Sequence, residues 1–198
     1  MRPRRAAGEG GEVGGGTGAV LTELVRLCGG RLTGMDVDPS ALEAARRSAG
    51  GGVRLLLADA TAGPIPHADI FVFSHFLLHV AGLGAFLGRV AGALTPGGYC
   101  AVLSEYVWTD ATETTSSGLL DRIRLSLSAD GLVLRNGDVL DEAFAGAGLD
   151  RVASGVEPGV PARPDPAFLR EQLGEEVSAP ETSLLSVPVR WGVYRKRG

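Results

Sequence analysis

Residues Glu12-Val-Gly-Gly-Gly-Thr-Gly18 and the helix-like run Ala19–Leu27 behind them constrain this chain more than any other segment. Glycines at 14, 16 and 18 let a backbone turn tightly and leave room for a ligand against the main chain. Free N–H groups at the start of the next helix favour electron-rich ligand groups. The acidic residue in front repels a pyrophosphate and attracts an ammonium. The loop therefore reads as a seat for a nucleoside with a positively charged tail. The glycines alone are weak evidence, because Gly14, Gly16 and Ala19 also fit the G-x-G-x-x-A dinucleotide fingerprint.

The rest of the chain alternates strand and helix signals. Leu32–Val37, Val53–Ala58, Asp69–Ser74 and Tyr99–Ser104 read as strands, several of them near-continuous apolar runs of the kind buried on both faces. Pro39–Arg46 reads as a helix with Pro in its first turn, and Leu83–Leu94 as one ended by Thr95-Pro-Gly-Gly98. This order predicts a parallel sheet with right-handed crossovers. Later come helices at Leu119–Leu127, Asp138–Ala147 and Pro166–Leu173, and strands at Arg151–Val156 and Ser186–Tyr194. Residues 1–11, rich in Arg, Ala and Gly, read as a flexible arm, and the run Gly8–Glu12 is a poor strand by propensity. At 198 residues the remainder, 12–198, fits one domain.

A formal net charge of −4 argues against a broad nucleic-acid or membrane patch. No apolar run approaches the ~18 residues a spanning helix needs. Cys28 and Cys100 lack metal spacing and suit a reducing cytoplasm, the expected location. His75 and His79 stand four apart, but no acidic third ligand is near, so no metal is expected.

Asp36 closes the second strand, where a carboxylate suits ribose hydroxyls, and Asp59 follows the third, where one suits an adenine amino group. With Glu12, three acids on successive strand ends converge on one crevice. Taken in order, Glu12–Gly18, Gly34-Met-Asp-Val-Asp-Pro-Ser40, Leu57-Ala-Asp-Ala60, Asp69–His79 and Leu94-Thr-Pro-Gly-Gly98 resemble a class I S-adenosylmethionine-dependent methyltransferase, of the small-molecule branch. The resemblance covers about residues 12–105. It implies a three-layer αβα Rossmann-like sandwich, with a mostly parallel seven-stranded sheet whose last strand is antiparallel. It implies S-adenosylmethionine as cofactor. Glu12 would lie near its amino group and Gly14, Gly16 and Gly18 against its backbone. Asp36 would lie at the ribose, Asp59 and Ala60 at the adenine, and Ser74 or His75 at the methionine end, with Val37 also among the cofactor-binding residues. The family's first strand usually carries apolar residues where this chain has glycine, and helices usually precede it. A homodimer, one subunit covering the other's site, answers the second departure.

His75, after the fourth strand, is placed to act as a base toward an acceptor hydroxyl, and Glu105, beside Tyr106 and Trp108, to orient an acceptor. Residues 105–135 and 157–185 are the candidate substrate-cover regions. Transfer of a methyl group to a small molecule, preferably to oxygen, is the leading expectation. A protein that binds S-adenosylmethionine without methyl transfer, cyclase-like or non-catalytic, is the alternative. An NAD-dependent oxidoreductase fits less well: the only lysine is Lys196, so no Tyr-x-x-x-Lys pair exists.

Overall fold

The computed structural model describes residues 8–28, 31–174 and 183–198. The expectations for residues 1–7 and 175–182 lie outside the described residues. The first half runs β1 (Glu9–Val13), α1 (Ala19–Cys28), β2 (Arg31–Asp36), α2 (Pro39–Ala49), β3 (Val53–Leu57), β4 (Ala68–Ser74), α3 (Leu83–Ala93) and β5 (Leu94–Tyr106). The second half runs β6 (Thr112–Glu113), α4 (Leu119–Ala129), α5 (Leu140–Gly146), β7 (Leu149–Glu157), α6 (Pro166–Leu173), β8 (Leu185–Ser186) and β9 (Val189–Lys196). Asp38 caps α2 by accepting from Ser40 N at 2.8 Å, and Asp165 caps α6 through Ala167 N at 2.8 Å. In each, proline follows the cap.

Seven strands form one sheet in the order β3-β2-β1-β4-β5-β9-β7. All pairs are parallel except those of β9, the last strand, which runs antiparallel to β5 and β7. Helices α1 and α2 cover one face, with Leu21, Leu42 and Ala45 against Gly34 and Leu55. Helices α3 and α5 cover the other, where Phe86, Leu87, Val90, Leu140 and Phe144 meet Phe71, Phe73, Cys100, Val102 and Tyr194. The fold expectation is met. No helix among the described residues is long and apolar enough to cross a membrane.

The arm expected at residues 1–11 does not extend that far. Glu9, Gly10 and Gly11 belong to β1, which lies between β2 and β4 in the middle of the sheet. Packing overrides propensity here. A Cβ on Gly10 would stand 2.7 Å from Leu32 Cδ2, and one on Gly11 2.9 Å from the Phe71 ring. Side chains of the flanking strands fill the space above both glycines. The late strand expected at Ser186–Tyr194 is split. Leu185–Ser186 leaves the main sheet to pair with Thr112–Glu113, and β9 starts after Pro188. Between β3 and β4 the chain runs as a loop with no crossover helix, leaving a second cavity of about 480 Å³ on that side of β1 and β2, lined by Gly11, Thr33, Met35 and Phe71.

The two regions expected to cover the substrate meet each other. Helices α4 and α6 and the β6–β8 pair enclose a small core of Trp108, Leu120, Ile123, Leu127, Leu169 and Leu185. Leu78, from the turn after β4, is buried in it. Arg124 ties α4 to the turn that follows β5 by donating to the carbonyls of Trp108 (2.7 Å), Thr109 (3.1 Å) and Ala111 (3.0 Å).

Candidate functional site

The carboxyl ends of β1, β2, β3 and β4 border a cavity of about 390 Å³. Open parallel sheets hold ligands at this edge, in the crevice where the strand order switches, here between β1 and β4. The cavity is lined by Gly14, Asp36, Val37, Asp59, Ala60 and His75, six of the residues expected from sequence. Met35, Ala58, Thr61, Phe76 and His79 complete the lining.

The glycine loop turns at φ +67° at Gly14 and +48° at Gly16, values that only glycine adopts freely. Gly14 N–H and Gly15 N–H both donate to Met35 O, at 2.9 and 3.3 Å. Gly16 N–H donates to Asp36 Oδ2 at 2.8 Å, and Asp38 N–H to Asp36 Oδ1 at 2.9 Å. Asp36 thus fixes the loop as well as bordering the cavity. Each of its oxygens keeps a lone pair for a further donor. Asp59 Oδ1 accepts from Thr61 Oγ1 (2.6 Å) and Thr61 N (2.7 Å), and these bonds hold its carboxyl below the usual range. Arg89, on α3, donates to the carbonyls of Thr61 and Gly63 and so fastens the loop that carries Asp59 and Ala60. Nothing in the sequence pattern singles out Arg89 or Phe76.

Glu12, Gly16 and Gly18 lie behind the cavity rather than in its wall. They border a gap too small for water under the loop, with Leu21 and Ala45. Glu12 is 3% exposed, and its Oε2 has no hydrogen-bond partner among the described residues. Burial pushes its pKa up to about 7. A hydrogen bond from the Leu21 backbone opposes that rise, and the Asp36 charge adds to it.

Ser74 also stands behind the wall. Its Oγ lies 3.0 Å from Ser104 Oγ, which lies 2.9 Å from His75 Nε2. His75 takes a positive φ of 52° and stacks on Tyr106, ring centroids 4.4 Å apart. Its backbone N–H donates to Ser104 O at 2.8 Å. Partial burial holds the imidazole below its ordinary pKa. Ring stacking and the Ser104 bond fix the ring plane, and Nδ1 makes no hydrogen bond among the described residues.

Glu105 corrects the sequence reading. An acid that orients an acceptor must reach it, and Glu105 is wholly buried. Its Oε2 accepts from Leu77 N at 2.7 Å, while Oε1 has no partner. Burial pushes its pKa up to about 7, against the opposing bonds from the Leu77, Phe76, Leu78 and Tyr106 backbone. It caps the 3-10 turn Leu77–His79, whose own N-cap residue, Phe76, offers no side-chain bond.

These residues suit S-adenosylmethionine. A side chain on Gly14 would run into the Phe76 ring, so the loop wall stays bare there, whereas nothing lies within 4 Å of a Cβ at Gly16. Two acids, Asp36 and Asp59, edge the cavity, and a buried carboxyl oxygen with no partner among the described residues lies behind it. Residues 11–102, from β1 into β5, match a family described as methyltransferase domain. No curated protein sequence matches this chain. Among solved structures, a candidate methyltransferase from Bacillus halodurans superposes with a TM-score of 0.71 at 13% identity, over 98% of this chain and 94% of that one. N-methyltransferase NodS from Bradyrhizobium japonicum, in complex with S-adenosyl-L-homocysteine, gives 0.62 at 16%, over 98% and 80%. An S-adenosylmethionine-dependent methyltransferase from Mesorhizobium loti gives 0.61 at 18%, over 97% and 94%. At these identities the likeness is one of fold.

Proposed function

We propose that this chain, a class I S-adenosylmethionine-dependent methyltransferase, methylates a hydroxyl group of a small molecule with His75 as the base. The observation that carries the choice of oxygen is His75 itself: a residue lining the cavity, its imidazole held below the ordinary pKa by burial, with Nε2 on Ser104 and Nδ1 without a partner among the described residues. An alcohol or phenol is protonated at neutral pH and needs a base as it attacks, whereas a neutral amine does not.

Gly14, Asp36, Val37, Asp59 and Ala60 would hold the cofactor in the cavity, with Glu12, Gly16, Gly18 and Ser74 supporting them from behind. When bound, the cofactor supplies a methyl group on a cationic sulfonium, open to in-line displacement. The protein's share is alignment and exclusion of water. In the tautomer that serves as base, His75 Nε2–H donates to Ser104 Oγ, whose own O–H donates to Ser74 Oγ. Nδ1 is then the acceptor of the substrate's proton. The cap formed by α4, α6 and the β6–β8 pair lies next along the chain from Tyr106 and would cover the acceptor.

Calorimetric titration with S-adenosylhomocysteine, followed by a panel of phenols, alcohols and amines, tests the reading. Methylated hydroxyl products lost in His75→Asn support it. Turnover confined to amines, unaffected by that substitution, replaces oxygen with nitrogen. Cofactor binding with no methylated product from any acceptor class favours the non-transferring alternative.

A further inference from the structure

The Leu77–Val80 turn is gripped from two sides by buried side chains. On the sheet side, Glu105 Oε2 accepts from Leu77 N at 2.7 Å. On the cap side, Asn136 Nδ2 donates to Leu77 O at 2.7 Å and to Val80 O at 2.8 Å. Val133 N adds a bond of 2.7 Å to Leu78 O. Both side chains are shut away from water, Asn136 at 6% exposed. Asn136 follows α4 in the turn Leu134–Gly137, so it belongs to the chain of the cap.

Stability alone does not account for this pair. Burying a carboxylate with one oxygen unpartnered is unfavourable, and an apolar residue of similar size would pack there at lower cost. What the pair supplies is position. A 3-10 turn this short satisfies few of its own backbone groups and has little intrinsic preference for one height above the sheet. Three bonds to Leu77 and Val80 define that height.

We propose that Glu105 and Asn136 are positioning residues that fix the Leu77–Val80 turn between the sheet and the cap, and thereby set His75, Phe76 and His79 in the cavity wall. This rests on the reading of that cavity as the cofactor seat. Since the clamp joins both layers, displacement of the cap reaches the cavity wall through the Leu77–Val80 turn.

The experiment uses the full chain with Glu105→Met, Glu105→Gln, Asn136→Leu and, as a core control away from the site, Leu149→Ala. Affinity for S-adenosylhomocysteine is measured by calorimetry. The ring signals of the three histidines are followed by NMR without ligand. Glu105→Met and Asn136→Leu are expected to weaken binding by about tenfold each, as befits the loss of one or two buried hydrogen bonds. Glu105→Gln, which keeps an acceptor for Leu77 N–H, restores most of it. His75 and His79 signals move in both damaged variants, and that of His67, bonded to Ala93 O, does not. Unmoved His75 and His79 signals with unchanged affinity overturn the proposal, as does an equal loss in Leu149→Ala. If Asn136→Leu does not fold, the Met and Gln variants at 105 decide. A wild-type chain that binds no S-adenosylhomocysteine defeats the cofactor-seat reading instead, and the histidine signals still decide the clamp.

Discussion

The backbone N–H of Gly16 donates to Asp36 Oδ2 at 2.8 Å, so one carboxylate both borders the cavity and fastens the glycine loop to the end of β2. Asp36→Ala removes this bond and that from Asp38 N together. Hydrogen bonds to charged groups contribute roughly 1.5–3 kcal/mol each, so affinity for S-adenosylhomocysteine should fall by at least about tenfold. Asp36→Asn, which keeps acceptor capacity on one side, should lose less. Equal affinities for all three proteins in calorimetry would rule this role out.

Gly14 and Gly16 both have positive φ, yet they should respond differently to alanine. A methyl at Gly14 meets the Phe76 ring, while at Gly16 it meets nothing within 4 Å. Gly16→Ala should cost only backbone strain, on the order of 1 kcal/mol. Gly14→Ala should cost more, and Phe76→Leu should recover part of the difference. Thermal melts of the three variants and the double variant check this.

Stability should fall as pH rises from about 4.5 to about 7. Glu12 and Glu105 each titrate near 7 in the folded chain against 4.5 for a free glutamate, so folding binds protons in that window. Their contribution is fully present below the lower value and lost above the higher one, with an upper bound of roughly 3 kcal/mol each. Asp38, Asp59 and Asp69 are held below their ordinary range and act at lower pH. His75, held low, opposes the trend in part. The readout is therefore the difference from wild type: melts at pH 5 and pH 8 should differ less in Glu12→Gln and Glu105→Gln.

His75→Asn suits the positive φ, since Asn tolerates that region. It should lower kcat toward a hydroxyl acceptor by about 10²–10⁴-fold. Affinity for S-adenosylhomocysteine should stay close to wild type. In the wild type, the rate should rise with pH through a midpoint below the ordinary imidazole value and level off above it, because His75 must be neutral to accept the proton.

Arg89→Met should loosen the Asp59–Gly63 loop without touching the ligand. Weaker S-adenosylhomocysteine binding with little change in melting temperature is the expected result. The reverse would make Arg89 a folding residue.

The parts of this fold that can be read from sequence are those where local preference and burial agree. The apolar runs of β3, β4 and β5 and the Pro-initiated helices α2 and α6 show in the chain before any contact is known. So do Asp36 and Asp59, because a strand end fixes where a carboxylate lies. β1 is hidden, since its glycines make sense only once Leu32 and Phe71 are seen above them. Phe76 is hidden likewise, as its ring matters only beside Gly14. Glu105 was misread for a related reason: period and spacing put an acid at a strand end, but only the Leu77 N–H opposite shows that it faces inward.

Leu78 is shared property: it follows β4 in the chain but packs in the core of the cap. A cover rooted that way is not an interchangeable module. Anyone transplanting a relative's cover onto this scaffold would need to bring along whatever residue stands at position 78, and the graft boundary falls inside the turn that borders the cavity rather than at a loop tip. The same rooting ties any displacement of the cover to the turn that follows β4, so the cover and that part of the cavity wall would move together.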